Sequence, residues 1–278
     1  MQEHHKARRR FGQNFLIDQH TISHILQSVS VQAHQDIVEI GPGLGALTAG
    51  LAEQAGTFTM IELDRDLAAK LQQKYADHKQ VRLIQQDALK VDLSELSTQL
   101  KRDFPAVSSA TETQRKLRIV GNLPYNISTP LMFHIFKHAK FIQDMTFMLQ
   151  REVAARILAT PGSSNYGRLS VMAQFYCDGE WVLDVPPEAF KPAPKVHSAV
   201  IKLTPHPLPL SSIAAQECFA RIVREAFSQR RKTLRNGLRN SLNAEQIESA
   251  GIQASQRPET LSLDDFVRLS QVALKVND

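Results

Sequence analysis

The chain has 278 residues, 42% of them hydrophobic and 22% charged, with a formal net charge of +5. That is enough for one α/β domain plus a small second one, and no apolar run approaches the ~20 residues of a membrane span. Cys177 and Cys218 lie far apart in no ligand spacing, so neither a disulfide framework nor a metal site is expected. With no apolar segment behind its charged start, the chain is expected in the cytoplasm.

The first 14 residues are basic, with Lys6, Arg8, Arg9 and Arg10 against Glu3. From residue 36, short apolar runs alternate with helical segments. Strands are expected at Asp36 to Ile40, Thr57 to Leu63, Val81 to Gln86, Leu117 to Gly121 and Met145 to Leu149. Helices are expected at Leu44 to Gln54, Asp66 to Tyr75 and Thr129 to Lys137. This rhythm implies a parallel sheet covered by helices. Residues 104–116, polar and rich in Ser and Thr, read as an exposed loop. A proline-rich stretch over 186–209 reads as a stiff extended connection holding one strand, Ser198 to Leu203. Beyond residue 210 the pattern is helical, ending with Leu263 to Leu274. A boundary near residue 205 therefore divides the chain into domains 1–205 and 206–278.

The first strand runs into Gly41-Pro42-Gly43-Leu44-Gly45. Glycines let a backbone turn sharply and approach a ligand closely. The spacing is G-x-G-x-G, not the G-x-G-x-x-G of dinucleotide sites. Glu62 ends the second strand, where a carboxylate can accept both hydroxyls of a ribose, and Asp87 follows the third, where it can accept from an adenine amine. Taken singly, each carboxylate can equally be a helix cap or a solvated turn residue. Together with the glycine turn they point to a nucleoside-bearing cofactor. NAD would require a pyrophosphate on the turn and a hydride acceptor elsewhere. Glu39, Pro42 and the tetrapeptide after the fourth strand point instead to S-adenosylmethionine.

That tetrapeptide is Asn122-Leu123-Pro124-Tyr125. The lone pair of an adenine N6 amine is delocalised into the ring and is a poor nucleophile. The Asn122 side-chain carbonyl can accept one N6 hydrogen, and a backbone carbonyl at Leu123 or Pro124, held by the fixed φ of proline, can accept the other. Two acceptors favour a tetrahedral amine with an exposed lone pair. Tyr125 offers a face for an extruded base. The plain alternative is a strand-end turn with a packed tyrosine.

Residues 219–240 hold seven basic side chains against Glu225. As one continuous helix they would place Val223, Phe227, Leu234 and Leu238 on one face and Arg221, Arg224, Arg231, Arg235 and Arg239 on another, with a break near Gln229 where Arg230 falls toward the apolar side. Such a face suits an RNA backbone, the bland alternative being a solvated surface. His20/His24 and His134/His138 have i,i+4 spacing, but neither pair has a convincing third ligand.

The ordered blocks Arg10 to Leu16, Glu39 to Gly45, Ile61 to Asp66, Gln86 to Ala88, Gly121 to Pro130, Tyr166 to Ser170, Pro187 to Ser198 and Phe227 to Asn236 closely resemble the ribosomal RNA adenine dimethyltransferase family, above all its small-subunit branch. The resemblance implies an α/β fold: a Rossmann-like S-adenosylmethionine-dependent methyltransferase domain with a small all-helical C-terminal domain. It implies cofactor contacts from Asn14, Leu16, Gly41, Glu62, Asp87 and Asn122, with Asn122, Leu123, Pro124 and Tyr125 at the reacting amine. Phe190 would be a second stacking face, though an aromatic that pins the proline-rich loop to the core fits the sequence too. RNA contacts are expected from Arg221, Arg224, Arg230, Arg231, Lys232 and Arg235. The implied reaction is dimethylation of two adjacent adenosines near the 3′ end of small-subunit ribosomal RNA, within a pre-ribosomal 30S particle, by a monomer. The segment between Asp87 and Asn122 is longer than is usual in the family. Rival readings are the large-subunit antibiotic-resistance relative and a non-catalytic assembly factor. The Tyr166 to Ser170, Pro187 to Ser198 and Gln229 to Asn236 blocks speak against the first, and the intact cofactor positions speak against the second.

Overall fold

The computed structural model describes residues 13–105, 115–228 and 232–276. The N-terminal basic residues, the Arg10 to Gly12 part of the first motif block, most of the polar loop over 104–116, and Arg230 and Arg231 lie outside the described residues. The chain forms two units: residues 1–154 with 180–205, and residues 155–179 with 206–278. The single boundary expected at 205 is therefore one of three crossings. The segment 155–179, to which the sequence pattern assigned no separate role, belongs to the helical unit.

In the first unit, β1 (Phe15–Leu16) and α1 (Gln19–Val29) precede β2 (Asp36–Ile40), α2 (Thr48–Gln54), β3 (Thr57–Glu62), α3 (Arg65–Lys74), β4 (Val81–Gln85), α4 (Leu93–Asp103), β5 (Leu117–Asn122), α5 (Ser128–Phe136) and β6 (Ile142–Gln150). Asp18, Asp64 and Asp92 start α1, α3 and α4 by accepting backbone N–H groups with their side chains. After α6 (Arg151–Ile157) and α7 (Arg168–Tyr176) come β7 (Cys177–Val185), β8 (Phe190–Lys191) and β9 (Ser198–Pro205). The seven-stranded sheet has the order β4–β3–β2–β5–β6–β9–β7. Five strands are parallel neighbours, whereas β9 runs antiparallel to β6, so the sheet is mixed where the sequence rhythm implied a parallel one. From β2 the chain winds outward through β3 and β4, then returns to the other side of β2 with β5 and β6. This reversal between β2 and β5 is a topological switch point, where open α/β sheets bind ligands outside their strand ends.

Two expectations change. The helix foreseen from Leu44 begins at Thr48, because Gly41, Gly43 and Gly45 all have positive φ (66°, 59° and 85°), which a right-handed helix cannot include. The proline-rich stretch is more than a connection: β8 lies inside it and pairs antiparallel with β1, Leu16 opposite Phe190.

Every residue of β2 and β3 is buried, the polar Asp36, Glu39, Thr57, Thr59 and Glu62 included. The sheet's other edge is held by two buried arginines. Arg115 donates to both oxygens of Asp36 at 2.6 Å and to the Phe104 carbonyl at 2.6 Å. Arg118 forks onto Asp144, its cross-strand partner on β6, with both bonds 2.8 Å, and also donates to the Val29 carbonyl at the end of α1 and to Gln35. Removing one partner of such a pair leaves a buried charge, which typically costs about 3–5 kcal/mol.

The helical unit comprises α7, α8 (Ile213–Ala226), α9 (Leu234–Gly237), α10 (Ala244–Ser249) and α11 (Leu263–Val276), with α8 packed along α11. Phe175 and Phe219 stack with centroids 4.1 Å apart, and Phe227 lies against Phe266 at 5.7 Å. The Tyr166 to Ser170 block organises this unit. The Tyr166 hydroxyl donates to the Leu261 carbonyl at 2.9 Å, and the Ser170 hydroxyl accepts from Gly167 N–H while donating to the Arg156 carbonyl. No described helix is long and apolar enough to cross a membrane.

Asp144→Asn is expected to lower the unfolding free energy by about 3–5 kcal/mol in urea titrations, since Arg118 keeps its charge and loses its counter-ion. A loss below about 1 kcal/mol would show that the carbonyl contacts of Arg118 suffice by themselves.

Candidate active site

Parallel register brings four strand ends to one edge. Ile40 pairs with Ile61 on one side and Gly121 on the other, Glu62 pairs with Gln85, and Asn122 pairs with Met148. The residues that follow these ends line one cavity of about 340 Å³, within the usual range for small-molecule sites. Among the sequence-derived candidates, Asn14, Leu16, Gly41, Glu62, Asp87, Asn122, Leu123, Pro124 and Tyr125 all border it.

The glycine turn is shaped by hydrogen bonds on both sides. Gly41 N–H donates to the Ile61 carbonyl at 2.9 Å, and Gly45 N–H to the Pro42 carbonyl at 2.8 Å. Glu62, 6% exposed, accepts Asp64 N–H at 2.8 Å and Gly43 N–H at 3.2 Å, one on each carboxylate oxygen. Burial pushes the Glu62 carboxyl above its ordinary value, and these N–H groups oppose the shift. Asp87 caps the short helical turn Ala88–Lys90 through Leu89 N–H at 3.0 Å. These carboxylates cap or brace turns, and they also border the cavity. Glu39, 3% exposed, also borders it and accepts the Thr48 hydroxyl at 2.7 Å.

At the tetrapeptide, the Asn122 side-chain N–H donates to the Asn14 carbonyl at 3.1 Å. A carbonyl can only accept, so this bond fixes the amide with its NH₂ committed and its oxygen left as an acceptor. Leu123 is buried, and its N–H donates to the Met148 carbonyl at 3.1 Å. The Pro124 carbonyl already accepts Ile127 N–H at 3.1 Å. The Tyr125 hydroxyl shares a 2.6 Å hydrogen bond with Ser198, and burial holds its acidity below that of a free phenol. Gly121 is required by close approach: a Cβ there would lie 2.8 Å from the Ile40 carbonyl oxygen and 2.9 Å from the Leu123 side chain.

Phe190 is not among the lining residues. It is 3% exposed and packs in the core with Leu16, Val185, Ala189 and Val200, so in this arrangement it pins the proline-rich segment rather than facing the cavity. The basic segment is interrupted, with α8 ending three residues before the break expected near Gln229. The structure breaks the 219–240 segment, ending α8 at Ala226, where Ser228 turns its hydroxyl back onto the Glu225 carbonyl, and resuming with the short α9. Val223, Leu234 and Leu238 are buried as the pattern foresaw. Arg221 is committed within the unit to Ser241, Cys218 and Glu225, so it is not a ready phosphate contact. Arg224 and Arg235 are exposed and Lys232 is half-buried.

Several lining residues escaped sequence reasoning. Gln13 and Phe15 border the cavity, as do Leu44 and Leu63, which are 53% and 50% exposed despite their size. Leu63 follows the acidic strand end directly, and an apolar residue in that place is the one signal that was available. Glu39, Glu62 and Asp87 carry all the formal charge among the described lining residues, with no Lys or Arg beside them. A dinucleotide pyrophosphate would face these carboxylates with no described Lys or Arg to offset them, whereas a nucleoside bearing a sulfonium suits the charge of the lining.

The sequence matches the family model "Ribosomal RNA adenine dimethylase" over residues 4–275. The chain belongs to the ribosomal RNA adenine dimethylase family. Similar members include the Ribosomal RNA small subunit methyltransferase A of Pectobacterium atrosepticum, 50% identical over 96% of this chain and 93% of that protein. The protein of the same name from Pseudomonas putida is 48% identical over 97% and 96%. Among solved structures, a dimethyladenosine transferase from Plasmodium falciparum aligns over 92% of this chain and 95% of that one, with a TM-score of 0.75 at 23% identity, and so shares the fold. The 23S rRNA methyltransferase ErmE aligns over 93% and 99%, with a TM-score of 0.66 at 26% identity. The α/β methyltransferase fold of this dimethylase family member thus agrees with the sequence reading.

Gly121→Ala is expected to push β2 and β5 apart at the cavity floor, lowering stability by about 1–3 kcal/mol. It should also weaken binding of S-adenosylmethionine in calorimetric titrations, and unchanged affinity would show that the strand ends absorb the methyl group.

Proposed function

We propose that the chain dimethylates the N6 amines of two adjacent adenosines near the 3′ end of small-subunit ribosomal RNA, using S-adenosylmethionine, as a monomer acting in the cytoplasm on a pre-ribosomal 30S particle. The observation that carries this reading is the amide of Asn122, a cavity-lining side chain whose NH₂ is committed to the Asn14 carbonyl so that its oxygen stays an acceptor. The small-subunit substrate is supported by the printed names of relatives about half identical over nearly their whole length, against 26% for the large-subunit enzyme.

When bound, S-adenosylmethionine supplies a methyl group already activated on a sulfonium. The protein's task is therefore positioning and electrostatics. Glu62 would hold the ribose hydroxyls and Asp87 the adenine amine, while the exposed faces of Leu44 and Leu63 cover the adenine ring. Asn122 Oδ1 would accept one hydrogen of the target N6, and the Leu123 carbonyl or the second lone pair of the Pro124 carbonyl the other. The amine nitrogen then becomes tetrahedral with its lone pair free for in-line attack. Tyr125, its ring fixed by the Ser198 bond, would stack on the target base as a neutral phenol. Phe190 is one strand pairing behind the lining residue Leu16, and it would provide a second face where β8 shifts to admit a base. Arg224, Lys232 and Arg235, with Arg230 and Arg231, would contact RNA phosphates, giving salt-sensitive binding.

The test is label transfer from S-adenosylmethionine to under-methylated small subunits and to large-subunit RNA, with the modified positions mapped. Label on N6 of two neighbouring small-subunit adenosines is the expected result, and no incorporation into either RNA refutes the enzyme reading. In the same assay Asn122→Ala should lose at least about 100-fold in turnover while RNA binding persists. Full turnover by that variant would remove Asn122 from the chemistry. Phe190→Leu, which keeps apolar bulk but loses the aromatic face, is expected to lower transfer by about tenfold, a typical stacking contribution. A lower melting temperature with unchanged kcat would leave Phe190 with its packing role alone.

A further inference from the structure

Glu39 stands out among the charged groups of the cavity wall. It lies within β2, a strand buried along its whole length, and is itself 3% exposed. Its one hydrogen-bonding neighbour on α2 is the Thr48 hydroxyl, at 2.7 Å. Among the described residues, the groups around it are acidic or neutral. Glu62 at the end of β3 raises its proton affinity, and Asp64 lies directly beyond. Tyr75, after α3, feels the fields of both Glu39 and Glu53 of α2. Asp87, after β4, borders the same cavity. From β5 the facing residues are Ile119, Val120 and Gly121, which bring no charge. Burial, resisted by the Thr48 bond and reinforced by Glu62, pushes the Glu39 carboxyl up to about 7. A buried carboxyl lacking a cationic partner holds a proton until a cation arrives.

The two forms of the cofactor differ in this respect. The methyl donor carries a sulfonium, an ammonium and a carboxylate, a net charge of about +1. The demethylated product carries a neutral thioether and so a net charge of about zero. We propose that Glu39 makes the site a proton-coupled charge selector: as the sulfonium donor binds, Glu39 releases a proton to solvent and stays a carboxylate, and it regains that proton when the thioether product replaces the donor. This rests on the S-adenosylmethionine reading above. It assigns Glu39 to discriminating donor from product, a task separate from the ribose contact of Glu62. Donor binding then strengthens as pH rises toward 7, because a shrinking share of the Glu39 carboxyl has to lose a proton first, and product binding does not.

The experiment is isothermal titration of the full chain with S-adenosylmethionine and, separately, S-adenosylhomocysteine. Each is run near pH 6.5 in two buffers of different ionisation enthalpy, and affinities are followed from about pH 5.5 to 7. The expected result is release of more than about half a proton with the donor and none with the product. Donor affinity should climb by up to about tenfold per pH unit, and product affinity should stay flat. Glu39→Gln should flatten the donor profile and abolish proton release while still binding the product. Equal proton release by both ligands, or a donor slope that survives Glu39→Gln, overturns the proposal and leaves the cofactor reading standing. Failure of both ligands to bind the wild-type chain overturns the two together. Should Glu39→Gln not fold, the wild-type comparison of the two ligands decides.

Discussion

One carboxylate ties the catalytic edge together. Glu62 accepts the N–H of Gly43 with one oxygen and that of Asp64 with the other, joining the turn after β2 to the turn after β3. The three positive-φ glycines leave the first turn free to take many paths, and a loop of that kind is held only by what it bonds to. Because Glu62 is buried, each of these hydrogen bonds is worth more than it would be in water, and the loss of either would leave a desolvated charge. The same residue that fixes the turn also borders the cavity, so the loop geometry and the cavity wall depend on one side chain.

The rest of the site follows from register. Parallel pairing leaves no freedom in where the ends of β2, β3, β4 and β5 fall, and Gly121 allows β5 to approach β2 closely where any side chain would strike the Ile40 carbonyl. At the opposite edge, Arg115 and Arg118 clamp Asp36 and Asp144 and gather carbonyls from α1 and α4. The sheet therefore has one edge closed by buried ion pairs and one edge open to a ligand.

Much of this was legible in the residues. The five parallel strands, the glycine turn and its two acidic partners, and the tetrapeptide all announce themselves through short apolar runs ending in chemistry-bearing residues. What was not legible was non-local. Arg118 sits inside an apolar run, and nothing in its neighbourhood says that Asp144 lies opposite it. The pairing of Leu16 with Phe190 joins residues 174 positions apart, so the sequence offers Phe190 as an aromatic face while the fold spends it on packing. The break expected near Gln229 was legible in the basic segment, but not that α8 already ends at Ala226, where the Ser228 hydroxyl turns back onto the Glu225 carbonyl. Residues 155–179 were hidden for a related reason: their partners, such as the Leu261 carbonyl for Tyr166, come from far along the chain.

Charge is sorted by location, and that sorting links the fold to its chemistry. The described lining of the cavity carries Glu39, Glu62 and Asp87 alone, while exposed cations such as Arg224 and Arg235 belong to the helical unit. A site that excludes cations favours a positively charged methyl donor and loses that advantage once the charge has been spent in transfer. An RNA substrate needs the opposite field, spread over many phosphates and sensitive to salt. Had basic side chains lined the cavity, they would have neutralised the carboxylates and let the uncharged product bind as well as the donor. Exposed cations occur in both units, Arg65 and Lys70 as well as Arg224 and Arg235, so what sets the cavity apart is that its described lining holds none of them.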